Sequence, residues 1–258
     1  MSEHLRNRNV FITGASSGIG QACAVAFARE GANLLLAARR KERIDTLART
    51  LEDKYRVATH SIQLDVRDRD AVERAVGSLP PAWDHFDILL NNAGLSRGLV
   101  KLHAGEIQDW EEMIDTNVKG LLYVTRAILP GMVARNSGHV INMGSIAGHE
   151  LYPSGNVYCA SKYAVTAISQ GLRMDLLGTN VRVSSVDPGL VETEFSEVRF
   201  RGDKARAAKT YANMRPLKGE DIAEVVIFCA TRPLHVDIAQ VIVMPTDQAS
   251  VNHVHRSA

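Results

Sequence analysis

The sequence predicts an α/β protein, a three-layer, doubly wound fold around a mostly seven-stranded parallel sheet. Three features of the chain point to it. Short apolar runs alternate with longer stretches of helical periodicity along all 258 residues. The runs are apolar at nearly every position, which suits strands buried on both faces better than strands with one wet face. The first run leads directly into a glycine-rich turn that opens a helix.

"NVFITG" at 9–14 is the first strand, and "IGQACAVAFAREG" at 19–31 is a helix ended by Gly31. "NLLLAA" is a second strand, followed by "RKERIDTLARTLEDKY", a helix with one charged face. "ATHSIQLDV" and "RDAVERAVGSL" make the third strand and helix. "DILLNNAG" is the fourth strand, and a long helix is expected from about Asp109, where Asp109 and Glu112 have the spacing of a capping box. "GHVINMGS" is the fifth strand, "VYCASKYAVTAISQGLRMDLL" a helix, "VRVSSVDPG" the sixth strand, "DIAEVVIFCA" a helix and "AQVIVMP" the last strand. Helix-linked strands of this kind give a Rossmann-like sheet covered on both faces. The alternation runs through 1–258 as a single dinucleotide-binding domain, with a tail at about 245–258. One stretch breaks the rhythm: residues 190–219, "LVETEFSEVRFRGDKARAAKTYANMRPLKG", are too long for a plain connection and read as a substrate lid.

Composition narrows the class. Hydrophobic residues make up 45% and charged residues 23% of the chain, with a net charge of +1. That balance suits a soluble globular protein and gives no footing for nucleic acid or an anionic membrane. No apolar run approaches the roughly 20 residues of a membrane span, and "MSEHLRNRNVFITG" lacks the apolar core of a secretory signal. Cys23, Cys159 and Cys229 are odd in number and widely spaced, as expected of reduced, buried thiols in a cytoplasmic protein. The nine histidines show no metal-ligand spacing, so no metal site is expected.

The strongest local signal is "TGASSGIG", Thr13 to Gly20. Its glycines Gly14, Gly18 and Gly20 let the backbone turn tightly and let a pyrophosphate reach a helix N-terminus, where amide N–H groups and the helix dipole favour negative charge. Ser16, Ser17 and Ile19 belong to the same loop. After the second strand, a site for a free ribose 2′-hydroxyl would carry an acid; this chain has Ala37, Ala38, Arg39 and Arg40. Guanidinium groups there suit a 2′-phosphate and hence NADP(H).

Tyr158 and Lys162 in "YCASK" stand one helical turn apart, on one face of their helix. Cys159 beside them points to another face, which argues against a catalytic thiol. With these pieces placed, the chain resembles the short-chain dehydrogenase/reductase family over essentially its whole length. The matching motifs are "TGASSGIG", "LDV" with Asp65, "NNAG" at 91–94, Asn117, Ser145, "YCASK" and "DPG" at 187–189. The resemblance implies a catalytic group of Asn117, Ser145, Tyr158 and Lys162. It also implies that Asp65 and Val66 flank the adenine, that Asn92, Ala93 and Gly94 line the cofactor channel, and that Pro188, Gly189, Val191 and Thr193 meet the nicotinamide side.

In that group Tyr158 is the acid/base. An ammonium about 5 Å from a phenol favours phenolate by roughly 3 kcal/mol at an effective dielectric near 20, so Lys162 is expected to activate Tyr158 and to hold the cofactor ribose. Ser145 would polarise the substrate oxygen, and Asn117 would hold a water linking Lys162 to solvent. Within the family, the chain is similar to NADP-dependent 3-hydroxy acid dehydrogenases acting on serine and allo-threonine, through "DWEEMIDTNVKGLLYVTRAILPGMV", "YPSGNVY", "GLVETEFSEVRFRGD" and "MPTDQAS". Sulfoacetaldehyde reductases are similar over the same segments. A carboxylate or sulfonate needs a cationic anchor, for which Arg199 and Tyr152 are the candidates. A broad carbonyl reductase with an apolar pocket and a non-catalytic NADP(H)-binding sensor are the alternatives. The family also implies a homotetramer, consistent with the apolar circumference of the helices around 118–133 and 157–168.

Overall fold

The computed structural model describes residues 5–257. The first four residues of the N-terminal segment and the last residue of the C-terminal tail lie outside the described residues. Seven strands form one parallel sheet: β1 (Asn9–Thr13), β2 (Asn33–Ala38), β3 (Thr59–Gln63), β4 (Ile88–Asn91), β5 (Gly138–Met143), β6 (Val181–Pro188) and β7 (Gln240–Val243). Their spatial order is β3-β2-β1-β4-β5-β6-β7. The order reverses between β1 and β4, and ligands of such sheets bind beyond the strand ends at that point. In register, Phe11 pairs with Leu35 on one side and Leu89 on the other, all fully buried.

Helices α1 (Gly18–Arg29), α2 (Lys41–Tyr55) and α9 (Gly219–Ala230) cover one face, where Cys23, Phe27, Ile44, Ile222 and Val226 pack on Val10, Ile12 and Leu34. Helices α3 (Arg69–Gly77), α5 (Leu121–Ala134) and α6 (Asn156–Asp175) belong to the other, where Val72, Val124, Ile128 and Met132 pack on Phe11, Leu35 and Leu89. Gly31, at φ +83°, turns the chain out of α1 as expected.

The long helix differs from its prediction. Its first part, α4 (Ile107–Ile114), starts two residues before Asp109, with Glu106 as N-cap and no side-chain cap. The capping box does not form, because Arg201 pairs with the Asp109 carboxylate and Arg97 takes Glu112 at 2.6 Å. Between α4 and α5 the chain makes a π-helical turn over Asp115–Gly120, which holds Asn117. The stretch at 190–219 contains two short helices, α7 (Phe195–Arg199) and α8 (Lys204–Tyr211), the second capped by the Asp203 side chain on the Arg206 amide. No helix among the described residues is long and apolar enough to cross a membrane.

Candidate active site

β1 feeds the glycine loop, and the end of β4 fixes its shape. Thr13 Oγ1 accepts from the amides of Asn92 and Ala93, both at 3.0 Å, while Asn92 Nδ2 donates to the carbonyls of Thr13 and Gly14 at 3.0 and 3.2 Å. Gly14 sits at φ +67°, and a Cβ on it would lie 2.9 Å from the Ala93 backbone. Only glycine tolerates both demands. Gly20 serves packing, since a Cβ there would collide with the Asn92 amide and the Gly14 carbonyl.

A cleft of about 680 Å³ opens over this loop. Gly14, Ser16, Ser17, Gly18 and Ile19 line one end with Arg39, Arg40, Asp65 and Val66. Asn92, Ala93 and Gly94 form its middle, and Pro188, Gly189, Val191 and Thr193 its far wall. Ser145, Tyr152, Tyr158, Lys162 and Arg199 gather at the other end. Of the residues singled out in the sequence, Gly20 and Asn117 stand behind the wall.

At the first end, Arg40 donates through Nη2 to Ser17 Oγ at 2.6 Å and to Ser16 Oγ at 3.0 Å. Its Nη1 meets Glu194 at 2.7 Å, and Arg43 meets the other oxygen of the same carboxylate at 2.6 Å. Burial alone would raise the Glu194 carboxyl, but hydrogen bonds from Arg40 and Arg43 outweigh it and hold the group below its ordinary range. A guanidinium, two hydroxyls and a glycine-rich helix start form a cradle that fits a dinucleotide with an extra phosphate.

At the reacting end, Tyr158 and Lys162 are both buried on α6. Lys162 Nζ donates to the Met143 carbonyl at 2.8 Å and lies 6.0 Å from the centroid of the Tyr158 ring. Burial pushes the Tyr158 phenol up from its ordinary value and Tyr152 adds to it; Arg199 and a hydrogen bond with Ser145 pull the other way. The lysine is itself desolvated, and burial brings it down to about 8 against the opposing charge of Asp187. The Met143 carbonyl anchors the lysine beside the Tyr158 ring.

Arg199, carried on α7, reaches back over the cleft. Its Nη2 donates to the Tyr152 hydroxyl at 2.6 Å and its Nε to Ser96 Oγ at 3.0 Å. The guanidinium carbon lies 5.3 Å from the centroid of the Tyr158 ring. Thus the two proposed anchors stand together beside the phenol. The Asn117 side chain makes three hydrogen bonds: Leu95 N donates to its Oδ1 at 2.8 Å, and its Nδ2 donates to Leu95 O at 2.8 Å and Ser161 Oγ at 3.0 Å. Its side chain therefore braces the β4 exit against α6.

A family model for short chain dehydrogenases matches residues 8–204. The chain belongs to this family. Similar proteins include the NADP-dependent 3-hydroxy acid dehydrogenase of Shigella flexneri, 48% identical over 249 residues, covering 96% of this chain and 99% of that protein. The protein of the same name from Schizosaccharomyces pombe is 45% identical over 253 residues, 98% of each. Among solved structures, the closed form of serine dehydrogenase complexed with NADP+ superposes with a TM-score of 0.90 at 47% identity, over 96% of this chain and 100% of that one.

Several residues of this short-chain dehydrogenase site have no spacing of their own in the sequence, although Glu194 and Gln248 fall within segments that carry the resemblance. Ser96 and Glu194 are ordinary polar residues until the fold brings them to Arg199 and Arg40. Gln248 in the tail accepts from the Leu190 amide at 2.8 Å and lines the cleft with Val251, Val254 and Arg256. Among the described residues no group of three His, Cys, Asp or Glu is placed to hold a metal ion.

Proposed function

We propose that this short-chain dehydrogenase transfers a hydride between NADP(H) and the hydroxyl-bearing carbon of a small 3-hydroxy acid of the serine, allo-threonine or 3-hydroxypropionate type. The observation that carries the reading is Arg199, a guanidinium 5.3 Å from the Tyr158 ring and buttressed by Tyr152 and Ser96. A cation held at the reacting end of a cleft suits a substrate with an anionic group one or two bonds from the reacting carbon. The names of the similar proteins support the same class.

The residues divide the work. The glycine loop, Ser16, Ser17, Arg39 and Arg40 hold the nucleotide phosphates, and Asp65 and Val66 the adenine side. When bound, the nicotinamide supplies or accepts the hydride. Tyr158 gives its phenolic proton to the developing alkoxide on reduction and takes it back on oxidation. Ser145, hydrogen-bonded toward Tyr158 and to the Pro188 carbonyl at 3.4 Å, orients the substrate oxygen. Lys162 supplies positive charge next to the ribose side of the cleft, and Asn117 keeps α6 in place. Phe195, packed edge-on against Tyr158 at 5.6 Å, excludes water from the phenol.

The whole chain acts as one domain, with 190–219 as the substrate lid and the tail from 245 as its cover. The buried free thiols Cys23, Cys159 and Cys229 suit the cytoplasm. A homotetramer would cover Leu122, Val133, Tyr163 and Met174, large side chains that α5 and α6 leave exposed. The deciding experiment measures initial rates with NADP+ against serine, allo-threonine, 3-hydroxypropionate, isethionate and a neutral secondary alcohol. The three carboxylates should lead. Isethionate in front would move the reading to sulfonates, and an equally fast neutral alcohol would make the protein a broad carbonyl reductase.

A further inference from the structure

Asp187 ends β6 just before Pro188, and its side chain is wholly buried. Three donors converge on it. Ser185 Oγ donates to Oδ1 at 2.5 Å, and Oδ2 accepts from His149 Nε2 at 2.7 Å and Gln240 Nε2 at 2.6 Å. A buried carboxylate calls for an opposite charge as well as hydrogen bonds.

The sheet register shows where that opposite charge is. Met143 pairs with Val186, and the Gly144 amide donates to the Val186 carbonyl at 2.8 Å. The Asp187 carboxyl therefore lies against Gly144, filling the space where a Cβ would stand. Lys162 Nζ approaches the same backbone and donates to the Met143 carbonyl at 2.8 Å. Carboxylate and ammonium thus occupy the neighbourhood of one peptide, Met143–Gly144. The other groups facing Lys162 are neutral: the Tyr158 ring on its own helix, and Asn117 Oδ1, which with Lys162 Nζ borders Gly94 at the β4 exit. Facing Asp187 are His149 from the loop after β5, Gln240 from β7, Ser185 from β6 and Lys162 from α6.

We propose that Asp187 is the buried counter-charge that keeps Lys162 an ammonium during catalysis, with His149 and Gln240 holding the carboxylate in place. Asp187 is a positioning residue, acting through Lys162 and touching no reactant. Burial lowers Lys162 to about 8, and Asp187 is the charge that opposes this. Without it the lysine would be neutral over much of the working range, and reduction would lose the cation beside the reacting group. His149 is partly exposed while Asp187 is closed off, so the imidazole also seals the carboxylate from water.

The inference rests on Lys162 belonging to the reacting group, and the test reads the lysine charge directly so that the two ideas fail separately. The cofactor-free full chain is labelled with ¹³C at the lysine ε-carbons and titrated by NMR, the Lys162 signal being assigned from its loss in Lys162→Arg. In the unaltered protein the midpoint should fall near about 8. In Asp187→Asn it should drop by about one pH unit, a tenfold loss of proton affinity. The alkaline limb of turnover in the reductive direction should move down with it, while KM for substrate below neutral pH stays unchanged. If circular dichroism shows that Asp187→Asn does not fold, His149→Ala replaces it and should move the midpoint in the same direction by less. A Lys162 midpoint that stays put in the folded variant overturns the proposal. Full activity in Lys162→Arg would instead sink the role given to Lys162 and leave the titration result standing.

Discussion

Arg199 offers the sharpest test of substrate class. Replacing it with Met keeps most of the aliphatic stem packed among Phe195 and Tyr152 while removing the guanidinium. Two effects follow from the geometry. The acid substrate loses a charge-assisted hydrogen bond worth roughly 1.5–3 kcal/mol. At about 1.36 kcal/mol per factor of ten, that is a fall of about 10- to 150-fold in kcat/KM. The second effect is on Tyr158, whose phenol Arg199 pulls down against burial. Losing the cation makes the phenol harder to ionise, which slows oxidation of any alcohol alike. The ratio of kcat/KM for serine or 3-hydroxypropionate to that for a neutral alcohol of similar size cancels this shared part. That ratio should fall about 10-fold or more, and Arg199→Lys should recover some of it by restoring charge without the fork that reaches Tyr152 and Ser96. Equal losses for acid and neutral alcohol would show that Arg199 steadies the lid and reads no carboxylate.

The remaining predictions concern the acid/base, the cofactor and assembly. Tyr158→Phe should lower turnover about 10²-fold or more while NADPH binding, followed by its fluorescence, stays near that of the unaltered protein; turnover close to wild type would remove Tyr158 from its role. The enzyme should use NADPH in preference to NADH, and changing Arg39 and Arg40 together to Ser should abolish the preference. Equal kcat/KM for the two cofactors in the unaltered chain would contradict the phosphate cradle. Light scattering at micromolar concentration should give the mass of a tetramer, and a monomer there would leave the exposed apolar side chains of α5 and α6 without their proposed cover.

Much of the fold is legible because its signals are local. β2 runs over Asn33–Ala38, as its apolar run predicts, and the glycine loop joins β1 to α1 as its spacing requires. Those elements depend on neighbours in sequence. The start of α4 is not legible in the sequence because Asp109 has a stronger partner, Arg201, that lies 92 residues away. Arg199 was found as a cation in an irregular stretch, but Ser96, which orients it, lies 103 residues off and has no pattern of its own. The side-chain direction of Lys162 is hidden for a related reason. Helical spacing shows that Lys162 shares a face with Tyr158, yet the lysine's direction is fixed by the Met143 carbonyl on β5, which no periodicity reveals.

The π-helical turn at Asp115–Gly120 makes the helix from Ile107 to Ala134 a shaft with two phases. Before it, Met113 faces the cluster of Leu95, Tyr158 and Cys159; after it, Val124, Ile128 and Met132 face the sheet. A π turn spends about one more residue than an α-helix on nearly the same rotation, so tightening these residues to α geometry at constant length would rotate one half against the other by about 100°. Either Asn117 would leave Leu95 and Ser161, or the apolar stripe of α5 would swing off the sheet. The widened turn is therefore what lets Asn117 and the sheet-facing stripe of α5 be satisfied together.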